Sequence, residues 1–115
     1  MKLNKRDIVR LKHIQGAIVA IQSFTEGVDE SSFNKNELIQ SAVIRQFEII
    51  GEASSRVTEE TQQVFPEVEW RTIKNFRNLL IHEYFRVDAA EVWYSVLNDL
   101  PVLKSQIEEI LARVQ

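Results

Sequence analysis

The segment KNELIQSAVIRQFEIIGEASSRVTEE, residues 35–60, decides the fold. Its apolar side chains cover most of the circumference of a helix, and such a helix must be buried on more than one side. In a chain of only 115 residues, we expect one of these sides to meet a partner subunit. The same helix carries Arg45, Glu48 and Glu52 at spacings that allow ion pairs along one stripe. The segment therefore predicts the central helix of a dimeric helical protein.

One helix is predicted before this segment. Apolar residues recur at spacings of three and four over residues 5–24, which is typical of an amphipathic helix. Residues 25–36 are polar and predict a connector, in which Ser32 and Asn34 are candidate N-caps.

Three more helices are predicted after the central one. The next spans residues 69–84, after a connector that contains Pro66. Asp88 is a good N-cap for the following helix, and Glu91 stands three residues later as in a capping box. Pro101 either begins a fifth helix or kinks the fourth. The chain is therefore expected to form one all-α domain over residues 1–115, an up-and-down bundle of four or five helices.

Composition limits the classes of function. The absence of cysteine excludes disulfides and thiolate catalysis and makes a zinc site improbable. The charged N-terminus and the lack of a long apolar run predict neither a signal peptide nor a membrane segment, so we expect a cytoplasmic protein. The net charge of −3 gives no global sign of nucleic-acid binding, which must therefore rest on local charge.

Residues 71–86, RTIKNFRNLLIHEYFR, form a basic segment in this acidic chain. Its only acid is Glu83, whereas its cations are Arg71, Lys74, Arg77 and Arg86. At helical spacing, one face carries Arg71, Asn75, Asn78 and His82. Cations, amides and an imidazole can all contact the phosphates or sugars of a nucleic acid.

Arg77 and His82 are the candidate catalytic residues. Arg77 projects among apolar residues, where a charge must be neutralised, so either Glu48 or Glu52 pairs with it or it opens into a cleft and stabilises an anion. His82 can exchange a proton near neutral pH. RNA cleavage by its own 2′-hydroxyl needs a proton acceptor, a proton donor and a cation. A symmetric dimer would supply two copies of each residue in one cleft.

The sequence also resembles a known family. Residues 77–84, RNLLIHEY, match R-x-x-x-x-H-x-Y, the signature of HEPN domains. Further blocks resemble the HepT-like subfamily, in the same order and at similar spacing. They are IRQFEIIGEA at residues 44–53, Pro66 through Arg71, Tyr84-Phe85, Val87-Asp88, Val92-Trp93 and Asp99-Leu100-Pro101.

The resemblance implies the toxin of a type VII HEPN/minimal nucleotidyltransferase toxin–antitoxin system. Such a toxin is a homodimeric, metal-independent endoribonuclease without a cofactor, whose motif helices line a shared cleft. Arg77 and His82 would be the catalytic pair, and Asn78, Arg71 and Lys74 would support RNA binding. The resemblance further implies that the nucleotidyltransferase antitoxin adenylylates Tyr84.

Two other functions remain open from the sequence. In one, the chain is a non-catalytic helical binding partner of a nucleotidyltransferase. In the other, it is a structural bundle in which Glu48 or Glu52 holds Arg77. Glu83 departs from the glycine that often fills this position in HepT-like proteins. An acid next to His82 would repel RNA if it faced the cleft.

Overall fold

The computed structural model describes residues 2–83 and 87–114, and all regular structure in these ranges is helical. The described elements are α1 (Lys5–Phe24), α2 (Glu30–Lys35), α3 (Glu37–Arg56), α4 (Glu59–Val64), α5 (Trp70–His82), α6 (Ala89–Tyr94), a π-helical turn (Ser95–Asp99) and α7 (Leu100–Val114). No β-strand occurs within the two ranges, so the predicted all-α class is confirmed.

α1 has the predicted bounds because the signals that define it are local. The Asn4 side chain caps its start and accepts a hydrogen bond from the Arg6 N–H at 2.7 Å. At its end, the Thr25 N–H donates to the Ile21 carbonyl at 3.0 Å. Its buried apolar face consists of Leu11, Ile14, Ala17, Ile18 and Ile21.

The polar connector after α1 contains a short helix, α2, that the sequence pattern did not predict. Asp29 caps α2 by accepting from the Ser32 N–H at 2.8 Å, and Asn36 caps α3 by accepting from the Ile39 N–H at 3.0 Å. The prediction that Ser32 and Asn34 are N-caps is therefore wrong, because both residues lie inside α2. A cap must precede the first turn of its helix.

The predicted helix over residues 35–60 is divided into α3 and α4. Val57 adopts an extended conformation with φ −65° and ψ 133°, and Thr58 caps α4. The carboxylate of Asp7, in α1, accepts from the Thr58 N–H at 3.0 Å and from the hydroxyls of Thr58 and Thr61 at 2.6 Å each. A buried tertiary contact therefore fixes the break.

The last two helices, α6 and α7, are joined directly by the π turn, so that the three segments form one rod. Asp88 caps α6 as predicted and accepts from the Ala90 N–H at 3.0 Å. The Leu100 N–H donates to the Ser95 carbonyl, five residues earlier, which defines a π turn. Pro101 follows directly, and a widened turn accommodates the proline ring, which would clash in a regular helix. Pro101 is thus the second residue of a helix that follows the π turn directly.

The long helices form a bundle in which α3 is central. α1 packs on α3 and α7, whereas α5 packs on α3. α2 packs against α6, where the rings of Phe33 and Trp93 lie 5.0 Å apart. The bundle measures 45 × 29 × 19 Å, so its shortest dimension is about two helix diameters. α5 therefore lies at the outside of a thin bundle, with one long side that no other described helix covers.

The other described helices do not cover the whole circumference of α3. Val43, Phe47 and Ile50 are buried, whereas Leu38 in the first turn is 80% exposed. Leu38 therefore lies on a part of α3 that the other described helices do not cover, and the expectation that a partner subunit meets this helix stays a prediction.

Two further features are absent from the described residues. They contain no helix that is long and apolar enough to cross a lipid bilayer. Within the same ranges, no group of three or more potential metal-ligating side chains comes together.

Candidate active site

α5 is a basic helix that is poorly stabilised at its start. Its first turn contains Arg71, although the positive end of the helix dipole disfavours a cation there. Within the described ranges, the preceding residue, Glu69, makes no side-chain capping hydrogen bond. The positive charge of Arg71 therefore does not contribute to the stability of the helix.

Packing against the rest of the bundle compensates for the weak start of α5. The indole N–H of Trp70 donates to the Phe65 carbonyl at 2.9 Å. Further along, the rings of Phe47 and Phe76 meet edge to face with their centroids 5.3 Å apart. Leu80 near the end of α5 is fully buried. The helix is thus held at three points along its length.

Arg77 lies where α5 approaches α3 closely, next to Gly51. A Cβ atom built on Gly51 of α3 would overlap the Cβ of Arg77 and lie 2.6 Å from its Cγ. The aliphatic part of Arg77 is therefore packed directly on the α3 backbone. A glycine inside an apolar helix is the sequence signal for such an approach, although the sequence does not say which residue approaches.

The guanidinium of Arg77 is only partly satisfied. Its NH1 group donates to the side-chain oxygen of Asn78 at 3.0 Å. Its Nε is buried and has no hydrogen-bond partner among the described residues. A buried, charged N–H group without a partner is costly, and native proteins rarely retain one without a ligand or water. The Nε is therefore a buried polar group that packing within one chain leaves without a partner among the described residues.

Neither Glu48 nor Glu52 neutralises Arg77. Glu48 pairs with Arg45 at 3.2 Å, and Glu52 pairs with Arg56 at 3.1 Å. Of the predicted stripe, Arg45 and Glu48 form an ion pair, whereas Glu52 pairs with Arg56, which the prediction did not include. Within the described part of the chain, neither carboxylate forms a salt bridge with Arg77. The alternative in which Glu48 or Glu52 holds Arg77 is therefore wrong.

His82 is the last residue of α5 and is exposed. It stands five residues after Arg77, so on an ideal helix the two side chains point about 140° apart and are separated by about 7.5 Å along the axis. Arg77 packs on α3, whereas His82 faces solvent. One copy of the chain therefore does not bring the two predicted catalytic residues together.

The supporting residues lie along the same helix. Arg71, Lys74 and Asn75 are exposed, whereas Asn78 is half-buried next to Arg77. The predicted RNA-facing residues therefore form an accessible polar surface. Tyr84, the predicted adenylylation site, lies outside the described residues together with Phe85 and Arg86, and its role stays a prediction.

An apolar groove runs beside α5, and the sequence pattern does not reveal it. It lies between α5, α3, the π turn and the start of α7, and its cavity volume is about 320 Å³. Acidic residues Glu67, Glu69 and Asp99 stand among the residues that line it. Its apolar lining consists of Phe47, Ile50, Ile73, Phe76, Leu100, Val102 and Leu103. Because four elements form the groove together, no single helical pattern predicts it.

The helical bundle and the basic helix with its arginine and histidine agree with the HEPN class of protein. The chain matches the model of a family described as "Ribonuclease HepT-like" over residues 14–110. The chain thus belongs to the HepT-like family of HEPN-type ribonucleases. This assignment confirms the resemblance seen in the sequence and supports the expected class of enzyme, an endoribonuclease.

Relatives that align over nearly the full length of the chain have names that agree with this family. A protein of Methanocaldococcus jannaschii whose name includes the term RNase is 37% identical over 107 residues, which cover 92% of this chain and 98% of the relative. The "Probable ribonuclease HepT" of Thermococcus cleftensis is 38% identical over 110 residues, covering 96% and 98% of the two chains. A protein of Caldanaerobacter subterraneus subsp. tengcongensis, also named as an RNase, is 33% identical over 103 residues, covering 90% and 92%. No solved structure matches the chain significantly.

Proposed function

We propose that this protein is the toxin of a type VII HEPN/minimal nucleotidyltransferase toxin–antitoxin system. In the active form, two copies cleave RNA without a metal ion in a cleft that contains Arg77 and His82 of both. The observation that carries the proposal is the buried Arg77 Nε, which has no partner among the described residues, on an exposed basic helix. A phosphate oxygen is a suitable partner for this group, because a guanidinium fork matches phosphate geometry.

The reaction follows from the two side chains. The 2′-oxygen of a ribose attacks the adjacent phosphorus, the bond to the 5′-oxygen breaks, and a 2′,3′-cyclic phosphate forms. One His82 imidazole takes the proton from the 2′-hydroxyl, and the protonated second imidazole gives a proton to the leaving 5′-oxygen. The Arg77 guanidiniums stabilise the charge that develops on the pentacoordinate phosphorus. Asn78 holds NH1 of Arg77 in place through the 3.0 Å hydrogen bond.

A dimer is required because each chain contributes one well-placed imidazole. His13, the other histidine, lies on α1, which packs on α3 and α7. We place the second copy over the uncovered side of α5 and the apolar groove beside it. Burial of this apolar surface stabilises the pair, and a stable interface needs about 1,200 Å² or more of total buried area. In this arrangement the two α5 helices face each other across the cleft.

The antitoxin acts on Tyr84 in this proposal. Tyr84 stands two residues after His82 in the sequence. An adenylyl group on its hydroxyl adds bulk and negative charge at the mouth of the cleft. Both effects exclude an RNA phosphate, by the like-charge repulsion that also operates after phosphorylation.

The proposal is tested by incubating RNA with purified protein in EDTA. Wild-type protein should cleave, and Arg77→Ala and His82→Ala should each lower the rate by at least about 100-fold. His13→Ala is the matched control, because it removes an exposed histidine from another helix and should leave the rate unchanged. Cleavage by folded His82→Ala at the wild-type rate would refute the mechanism. A wild-type protein that binds the nucleotidyltransferase but cleaves no RNA would instead support the non-catalytic binding partner.

A further inference from the structure

We propose that Gly51 is a positioning residue for Arg77. It allows α5 to approach α3 so closely that the stem of Arg77 is fixed against the α3 backbone. The direction of the guanidinium then follows from the contact between the two helices. This inference rests on the proposed function, in which Arg77 binds the scissile phosphate.

The contact leaves no room for a side chain on Gly51. An added Cβ would overlap the Arg77 Cβ, and it would lie 2.6 Å from the Arg77 Cγ and 3.4 Å from its Cα. The Cβ and Cα belong to the rigid part of the residue and cannot rotate away as the end of a flexible side chain can. Any residue other than glycine therefore requires α5 itself to move relative to α3.

The position of the Arg77 stem determines what its nitrogens reach. NH1 is held by Asn78, and the Nε of the same guanidinium, where it joins the aliphatic stem, is buried. A displacement of α5 would move this guanidinium relative to the partner copy's half of the cleft. Misplacement of a catalytic group by about 1 Å can lower a rate by about 100-fold. Gly51 thus acts on catalysis through Arg77 without contacting the RNA.

Gly16 provides a matched control within the same chain. It also lies inside a long helix, α1, and is exposed. A Cβ on Gly16 would meet no atom of the described residues within 4 Å. Gly16→Ala therefore adds the same methyl group and the same gain in helix propensity as Gly51→Ala, but without the overlap.

The first experiment compares the kinetics of RNA cleavage by Gly51→Ala, Gly16→Ala and wild-type protein. Gly51→Ala should lower kcat by about 100-fold with little change in KM, because RNA binding by the exposed cations of α5 persists. Gly16→Ala should retain both constants. A folded Gly51→Ala protein with the wild-type kcat would overturn the inference.

The second experiment observes Arg77 itself and does not depend on cleavage. The Nε–H resonance of Arg77, assigned by its loss in Arg77→Lys, should exchange slowly with solvent in wild type and in Gly16→Ala. It should exchange faster in Gly51→Ala. An unchanged exchange rate would overturn the inference. If wild-type protein cleaves no RNA, the proposed function fails, whereas this measurement still decides whether Gly51 positions Arg77.

If Gly51→Ala does not fold, the wild-type protein alone can test whether Gly51 and Arg77 are in contact. A nuclear Overhauser effect between the Gly51 Hα and Arg77 Hβ protons is expected from the close approach of the two residues. Its observation supports the contact on which the inference rests. Its absence in an assigned spectrum contradicts it.

Discussion

Asp7 and Thr58 connect the first helix to the break between α3 and α4, 51 positions later in the chain. One oxygen of the Asp7 carboxylate accepts from the Thr58 N–H, and the other accepts from the Thr58 and Thr61 hydroxyls. Asp7 is only 1% exposed, so its charge is stabilised almost entirely by these donors. Burial raises the pKa of this carboxyl, but the hydrogen bonds outweigh burial and hold the pKa below its ordinary value of 3.8.

Asp7→Asn should destabilise the fold in a pH-dependent manner. The amide accepts fewer hydrogen bonds and carries no charge, so we expect a loss of about 2–3 kcal/mol at neutral pH. Because the folded-state pKa of Asp7 is lowered, its stabilisation is complete above about pH 4 and is lost as the pH falls through the lowered pKa. Urea unfolding of both proteins from about pH 6 to about pH 2 should show their difference shrink in acid. A difference that stays constant over this range would contradict the role given to the carboxylate.

Arg77→Ala should leave the fold nearly as stable as wild type. Alanine retains the Cβ that packs on Gly51, and the substitution removes a buried N–H without a partner among the described residues. We expect the free energy of unfolding to change by about 1 kcal/mol or less. Disruption of a buried ion pair would cost about 3–5 kcal/mol, which a thermal melt distinguishes easily. A loss of that size would indicate that Arg77 serves mainly the fold.

Arg71→Gln and Lys74→Gln should weaken RNA binding in a salt-dependent manner. Both side chains are exposed on α5, where they can neutralise phosphates. Each substitution should reduce the slope of log Kd against log salt concentration by about 0.7, which is the contribution of one contact to single-stranded nucleic acid. Binding is best measured with catalytically inactive His82→Ala, so that the RNA stays intact. Lys12→Gln on α1 is the control, and an equal effect there would indicate nonspecific attraction only.

Val102→Glu should prevent dimerisation. Val102 lines the groove beside α5 and is 57% exposed, so a glutamate there need not disturb the core of one copy. Burying its charge in an apolar interface without a partner is costly, so we expect monomers in analytical ultracentrifugation and loss of RNA cleavage. Val19→Glu, at a residue that is 53% exposed on α1, should remain dimeric and active. A dimeric Val102→Glu protein would show that the second copy binds elsewhere.

The sequence predicts those helices whose caps and apolar residues lie close together in the chain. α1 has its predicted ends because its cap and its apolar stripe are adjacent in sequence. Asp88 was likewise found as a cap because a cap acts within two or three residues. The end of α3 was missed because Asp7, which fixes the break, stands far away in sequence.

The candidate site likewise has some features that the sequence predicts and others that depend on contacts between separate helices. The sequence indicates Arg77 and His82, because both residues lie within one predicted helix. The fit of Arg77 against Gly51 and the groove beside α5 depend on the packing of separate helices. The sequence does not predict that Glu48 pairs with Arg45 and Glu52 with Arg56, because several pairings satisfy the same spacing.

The π turn before Pro101 determines which helices α6 and α7 can contact. In an unbroken α-helix, the buried residues of α6 and α7 would form one straight stripe facing a single direction. The extra residue in the π turn rotates everything after it by roughly 100°. α6 can therefore turn Trp93 toward Phe33 of α2, while α7 packs on α1. A change of helical phase thus allows one rod to close two different sides of the bundle.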